Sequence, residues 1–431
     1  MKLRGKTIEC EIEKLVNGGF GLSRYNKKVI FVHNALPGER VEALVTTDKR
    51  DYAKAVATQV LTPSSFRHEP MEDHFLSCSP WQVIDYEQEN FWKQEITEEV
   101  FLSIAGLDFT GLKMVADEQR FHYRSKMEFS FLKNDQKISL AFFKRGQNRK
   151  EAISDCVLAH SSINEGALRV VEEMDRYGIP QFSLKTMILR SNRAGEIVIA
   201  LFVKDEQFPL LEGITLDEKL KGFAVHFSDP QSPASISTKI LHQQGDDHLT
   251  ETVMNKPLQY GPMSFFQVNL NLFENALLPI KSFVAGEDIL DYYCGVGAIG
   301  IAVSDVVRSC IMVDISEDSI FYARKNIELN QLAHYSVFCS KAEKILEHIL
   351  PDKVIIIDPP RAGIHPKVLR ALREKQPKRI VYLSCNIATC ARDLAQLTRE
   401  YEIVFKEVYN FFPATPHIEF LTVLDRKKQD L

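Results

Sequence analysis

Apolar positions along the chain change their period twice. Over residues 1–60 they alternate with polar ones in short runs, TIECEIEKL, VIFVH, ERVEALVTT and KAVATQVL, broken by turn signals at Gly18-Gly19 and Pro37-Gly38. Such alternation predicts about five short strands. Strands packed that densely suggest a small OB-type barrel, a platform for oligonucleotides, with a ligand-free β module as the alternative. Residues 61–260 mix both periods. A loop bearing Pro and His, TPSSFRHEPMEDHF, leads into a helical pattern from Tyr86 to Ala105; a basic β region, a helix near Ile163–Tyr177 and the strand-rich stretches MILRSNRAGEIVIALFV and FAVHFS follow. From residue 261 onward the runs are largely apolar on both faces, DILDYY, SCIMVDI, SVFCSK, KVIIID and KRIVYLSC, each followed by a helical segment. Two-sided apolar strands separated by helices mean a parallel, doubly wound sheet. The expected fold class is α/β: a Rossmann-like domain at 261–431, an OB-like β-barrel at 1–60 and a mixed α+β central domain at 61–260.

Composition narrows the setting. The chain has 431 residues, 45% hydrophobic and 26% charged, an ordinary soluble balance with room for two or three domains. The start, MKLRGKTIECEIEKL, is charged throughout, no apolar run is long enough to span a bilayer, and the eight cysteines include no CxxC pair. These features predict a cytoplasmic protein with reduced thiols and no membrane partner. Nothing in the sequence calls for more than a monomer. The net charge of −5 hides a local excess: residues 121–150 hold eight cations against Glu128 and Asp135, a net of +6, interleaved with Phe121, Tyr123, Phe129, Phe131, Phe142 and Phe143. Cations beside stacking rings suit single-stranded nucleic acid. The plainer reading is a hairpin with its aromatics inside and a solvated cationic face.

Ligands of doubly wound sheets bind beyond the carboxyl ends of the strands, and that rule sorts the polar residues. In DYYCGVGAIG, Gly295, Gly297 and Gly300 spell GxGxxG, a turn that lets a ligand approach a helix N-terminus. A nicotinamide dinucleotide would also suit the turn. Asp291 ahead of it speaks for a cation without phosphates, since a fixed carboxylate there would repel pyrophosphate; S-adenosylmethionine is such a cation. Asp314 ends the second strand, 23 residues after Asp291, where an acid holds ribose hydroxyls. Asp358 ends the fourth in KVIIIDPPRAG, although each acid can also serve only as a helix cap.

The stretch RIVYLSCNIATC ends its apolar run on Cys385, followed at once by Asn386. A packing thiol would sit inside the run. The sheet rule places Cys385 on the rim that carries Asp358, where Asp358-Pro359-Pro360-Arg361 forms a stiff loop. NFFPATPHIEFLTVL supplies a further carboxylate, Glu419, at the start of a last strand. Thiolate, carboxylate and methyl sulfonium together suggest methylation of an unactivated pyrimidine carbon. C5 of uracil is a poor nucleophile until a thiolate adds at C6, and a base must then remove the C5 proton. Methylation of an exocyclic amine needs no cysteine.

The segments FFQVN (Phe265–Asn269), DYYCGVG (Asp291–Gly297), IDPPRAG (Ile357–Gly363), LSCNIATCARDL (Leu383–Leu394) and FPATPHIE (Phe412–Glu419) resemble the S-adenosylmethionine-dependent RNA 5-methyluridine methyltransferases. YRSKMEFS (Tyr123–Ser130) fits as well, and the first sixty residues resemble the RNA-binding TRAM module. The resemblance implies that Gln267, Tyr293, Asp314 and Asp358 line the cofactor site, that Cys385 is the nucleophile and that Glu419 is the base. It implies an RNA substrate, 23S rRNA among barrel-bearing relatives, with tRNA as the alternative. Asp314 stands where the family has glutamate, and Asn410 replaces a frequent aspartate.

One departure concerns metal. Many relatives carry a four-cysteine iron–sulfur site; in EDHFLSCSPW only Cys78 matches, with Cys156 downstream, while Glu72 and Trp81 occupy the other two places. Two thiolates, even with His68 and His74 nearby, fall short of the usual four. The expectation is no cluster and no metal, with Trp81 and hydrophobic fill packing the region. The rival functions are an amino-group methyltransferase, a dinucleotide oxidoreductase and a non-catalytic RNA-binding protein.

Overall fold

The alternation in the first sixty residues becomes six strands, Thr7–Glu11, Lys14–Val16, Phe20–Tyr25, Lys28–His33, Arg40–Asp48 and Tyr52–Thr62. By chain position their sheet order is 1-5-6-4-3-2. Side chains at every second position, among them Ile30, Val32, Val41, Ala43, Val45, Ala53 and Ala55, form a core of their own. The extra strand is the three-residue Lys14–Val16, which pairs with Phe20–Tyr25 across the Gly18-Gly19 turn. Three register shifts between Arg40–Asp48 and Tyr52–Thr62 coil this long pair. The computed structural model describes residues 2–134, 137–145, 149–232 and 235–428.

The chain divides into two units that do not follow chain order. The first comprises Met1–Arg120, Ser384–Gln396 and Lys406–Phe420; the second comprises Phe121–Leu383, Leu397–Phe405 and Leu421–Leu431. In the first unit the helix Tyr86–Ala105 ends on Gly106, whose φ of 65° closes it with a left-handed residue. Its buried face carries Ile96, Val100 and Phe101, and also Glu89 and Lys93. Phe101 packs against Phe109 and Phe420, with ring centroids 4.9 and 4.6 Å away.

Two further sheets matter here. In the first, Lys126–Asn134, Lys137–Phe143 and Lys150–Ile153 join Leu184–Ser191, Ile197–Val203, Leu220–Phe227 and Lys239–Gly245. The cationic stretch matches neither reading in full: Phe121 and Phe142 are half-buried, and burial pushes the Lys126 ammonium down. Tyr123, Phe129 and Phe131 are buried, so they cannot stack on bases. Phe143 is the exposed ring, with the Lys150 ammonium 5.1 Å from its centroid. Asp135 lies outside the described residues.

The other sheet runs Tyr335–Cys339, Ser309–Asp314, Asp288–Tyr292, Val354–Ile357 and Arg379–Ser384, continued by Glu419–Arg426 and Tyr401–Tyr409. The first five strands are parallel neighbours, as apolar runs on both faces require. One expected helix is missing. After SVFCSK the chain makes only two 3-10 turns, Ala342–Lys344 and Leu346–His348.

Candidate active site

Three of the four expected cofactor residues line one pocket. Gln267, Tyr293 and Asp358 share its wall with Phe265, Phe266 and Ile299. Gln267 donates from Nε2 to Asp358 Oδ2 at 3.4 Å. Burial pushes the Asp358 carboxyl up to about 7, opposed by that bond. Tyr293 holds a φ of 63°, costly for a residue with a bulky side chain. Its N–H donates to the Val313 carbonyl at 2.9 Å, which pins the glycine turn to the neighbouring strand.

Asp314 is not among the residues of that pocket wall, but the turn ties it in. Its Oδ2 accepts from Gly295 N at 3.0 Å and its Oδ1 from Ser316 N at 2.8 Å. Each carboxylate oxygen keeps a lone pair for a hydroxyl donor. Gly297 has a φ of 85°, and a Cβ there would come within 2.8 Å of Ile301 Cδ1. The positive φ makes any other side chain strained at that corner.

Asp291 departs from expectation. It is fully buried, and its Oδ2 accepts from Gly300 N at 3.1 Å at the start of the helix Ala298–Ala302. Burial, reinforced by the Asp358 and Asp314 carboxylates, pushes it up to about 8. A carboxyl raised this far is a weaker source of fixed negative charge than its place in the sequence suggests. Its role is to hold the turn.

Sequence reasoning missed Arg190. Its guanidinium is buried over the Tyr260 ring, 5.3 Å from the centroid, and donates to the carbonyls of Ser264 and Phe266. Phe266 stacks on Tyr260 at 4.2 Å. The segment that delivers Gln267 is thereby clamped. The available signal was an arginine inside the apolar run MILRS.

In the first unit, Cys385 directly follows the Arg379–Ser384 strand and precedes the helix Ile387–Leu397. Asn386 caps that helix, its Oδ1 accepting from Ala388 N at 3.2 Å. Cys385 is partly exposed, whereas Cys390 is buried. Burial and then Asp393 push the Cys390 thiol well up, with Glu419 adding to the effect and the Ser384 hydroxyl opposing it. Cys390 is therefore a packing thiol, and Cys385 is the accessible one. Glu419, only 2% exposed, opens the Glu419–Arg426 strand.

The loop ahead of Glu419 hangs on buried charge. Glu89 accepts from Ala414 N with both oxygens at 3.0 Å, from Asn410 Nδ2 at 3.1 Å and from Lys93 Nζ at 2.9 Å. Lys93 also donates to the Phe412 carbonyl at 3.0 Å and to Asn410. Burial pushes the Lys93 ammonium down, and Glu89 opposes it. Trp81 N donates to the Ala414 carbonyl at 3.0 Å, and the Lys93 ammonium lies 5.7 Å from the Trp81 ring centroid. Asn410, from which the sequence drew nothing, sits at the centre.

Comparison with known proteins agrees over nearly the whole chain. The tRNA (uracil-5-)-methyltransferase family model matches residues 86–350 and 346–427, and the TRAM domain model matches residues 2–58. A Streptococcus mutans protein described as an uncharacterized RNA methyltransferase is 28% identical over 457 aligned positions, covering 100% of this chain and 99% of its own. An Enterococcus faecalis protein so described is 26% identical, covering 98% of each chain. Among solved structures, the Pyrococcus abyssi tRNA (uracil-54, C5)-methyltransferase in complex with S-adenosyl-L-homocysteine superposes with a TM-score of 0.78 at 25% identity. That likeness covers 97% of this chain and 100% of the archaeal one.

Proposed function

The chain belongs to the tRNA (uracil-5-)-methyltransferase family, and from that premise we propose that it methylates C5 of a uridine through a transient bond between Cys385 and C6. It is an S-adenosylmethionine-dependent RNA methyltransferase. The observation that carries the nucleophile assignment is the contrast between the accessible Cys385 and the buried Cys390.

The donor set fits the cofactor: Asp314 for the ribose hydroxyls, with Asp358, Gln267 and Tyr293 lining the pocket. Bound there, S-adenosylmethionine supplies the methyl group. Cys385 lies at a helix N-terminus, a position that favours a thiolate in general. Its sulfur adds to C6, and the electron pair moves onto C5, which accepts the methyl. Glu419 then takes the C5 proton as the C6–S bond breaks, restoring the ring's double bond and releasing the thiolate. A paired or stacked uridine must first be turned out of its helix. We assign the grip on RNA to residues 1–60 and 61–260, and methyl transfer to 261–431.

For the target we favour 23S rRNA, from the resemblance of the barrel-bearing chain to rRNA enzymes. tRNA is the second reading, favoured by the archaeal neighbour, whose likeness over 97% of the chain must include most of the barrel. No helix among the described residues is long and apolar enough to cross a membrane. We place the enzyme in the cytoplasm as a monomer. Nucleoside mass spectrometry of rRNA and tRNA from a strain lacking the protein decides the target: 5-methyluridine missing from one 23S site supports the first reading, loss from tRNA the second. Unchanged 5-methyluridine in both contradicts the proposal.

A further inference from the structure

The stretch from Glu72 to Gln82 was expected to pack hydrophobically, yet it gathers donors. Glu72, His74 and Cys78 each offer one ligand atom, and these atoms lie within 4.8 Å of one another. His74 Nε2 stands 3.4 Å from Glu72 Oε1, and Cys78 Sγ stands 3.9 Å from Glu72 Oε2. In a tetrahedral site with about 2.0 Å bonds to N and O and about 2.3 Å to S, neighbouring donors sit roughly 3.3–3.5 Å apart. The observed spacings need only a small closure. The Glu72 and His74 side chains are 8% and 10% exposed, so a carboxylate and an imidazole are held largely out of water.

The surrounding bonds orient the donors. Gln82 Nε2 donates to Glu72 Oε2 at 2.8 Å and to Ser79 Oγ at 2.6 Å, and Ser79 Oγ lies 3.0 Å from Cys78 Sγ. Gln82 and Ser79 are themselves buried. Outer partners that fix ligand orientation in this way are what metal sites use. Thiolate, imidazole and carboxylate do not fit a four-iron cluster, which takes thiolates. They do fit one borderline divalent ion.

We propose that Glu72, His74 and Cys78 bind a single zinc ion that staples this loop. The expectation of no metal weighed the two thiolates and nearby histidines against a four-iron cluster and left out Glu72 as a ligand. Cys156, the other of those two thiolates, belongs to the second unit, where Asn164 bonds its N–H and C=O at 3.1 and 3.0 Å.

The test uses the full chain, produced without a histidine tag in medium containing zinc and iron and freed of loose metal by gel filtration. Elemental analysis should find about one zinc per chain, falling at least fivefold in Cys78→Ser and in His74→Ala. Cys339→Ser, which removes an exposed thiol elsewhere, should keep its zinc. After exchange with Co²⁺, the wild type should show a near-ultraviolet thiolate-to-cobalt band that Cys78→Ser lacks. S-adenosylhomocysteine binding checks that the variants are folded. If Cys78→Ser does not fold, the cobalt spectrum of the wild type decides alone. Metal-free wild type, zinc unchanged in both variants, a cobalt spectrum without the thiolate band, or about four irons with sulfide would each overturn the proposal.

Discussion

The cofactor pocket and the thiol region are built in opposite ways. The pocket is made where parallel strands end: Tyr293, Gly295, Asp314 and Asp358 follow or close adjacent strands, and main-chain groups tie the turn together. The loop that leads to Glu419 is instead held by side chains far away in sequence. Glu89 and Asn410 bond across 321 positions, and Lys93 joins them inside the protein. A turn anchored on nearby main-chain groups tolerates change in distant side chains. A loop suspended from buried charge depends on every member of its network.

That difference ranks the predictions. The largest effect falls on the thiol itself: Cys385→Ala should lower methylation about 10⁴-fold or more, with RNA affinity nearly unchanged in a filter-binding assay. Next, Glu419→Gln should lower turnover about 10²- to 10⁴-fold while an RNA–protein species stable to denaturant accumulates, because methyl transfer precedes proton removal. Absence of that species on a denaturing gel would give Glu419 another role.

Breaking the suspension comes third. Lys93→Met leaves Glu89 buried beside Arg120 and should cost about 3–5 kcal/mol in denaturant unfolding. The double variant Glu89→Gln/Lys93→Met should recover part of that loss, since the fully buried carboxylate is neutralised together with its ammonium partner and the Arg120 guanidinium that remains is partly exposed. A Lys93→Met chain as stable as the wild type would contradict the comparison.

The smallest effect sharpens the pocket side. Asp358 sits at about 7, so it is mostly protonated at pH 6 and mostly ionised at pH 8. Only the ionised form attracts the sulfonium, so S-adenosylmethionine affinity should rise roughly tenfold at most between pH 6 and pH 8. S-adenosylhomocysteine, a neutral thioether, should change little, and Asp358→Asn should flatten the difference; calorimetry at both pH values checks this. The same raised carboxyl holds its proton more tightly folded than unfolded. It therefore favours the folded chain at low pH and loses that contribution as pH rises through about 7.

Legibility in the sequence follows the same division. Two-sided apolar runs announced the parallel strands, and the helix at Tyr86–Ala105 matched its expected bounds, because period and strand chemistry are local properties. Asp314 and Asp358 could be placed from the sequence because they sit at strand ends, whereas Gln267 and Tyr293 came from the family resemblance alone. The Glu89–Lys93 pair could not be read, because two charges four apart on a helix read as a solvated pair until burial is known. Asp291 was placed at the turn, but the burial that raises its pKa could not be read from spacing. The aromatics at Phe129 and Phe131 turned inward for a similar reason: alternation alone does not say which face is covered.

The most direct test of the account is peptide mapping of the complex formed with RNA containing 5-fluorouridine, in which no C5 proton is available and the adduct should persist. The account predicts one pyrimidine-modified peptide in the presence of S-adenosylmethionine, with the mass added at Cys385. Modification at Cys390 instead, or 5-methyluridine produced from ordinary RNA with no adduct trapped at any cysteine, would contradict it.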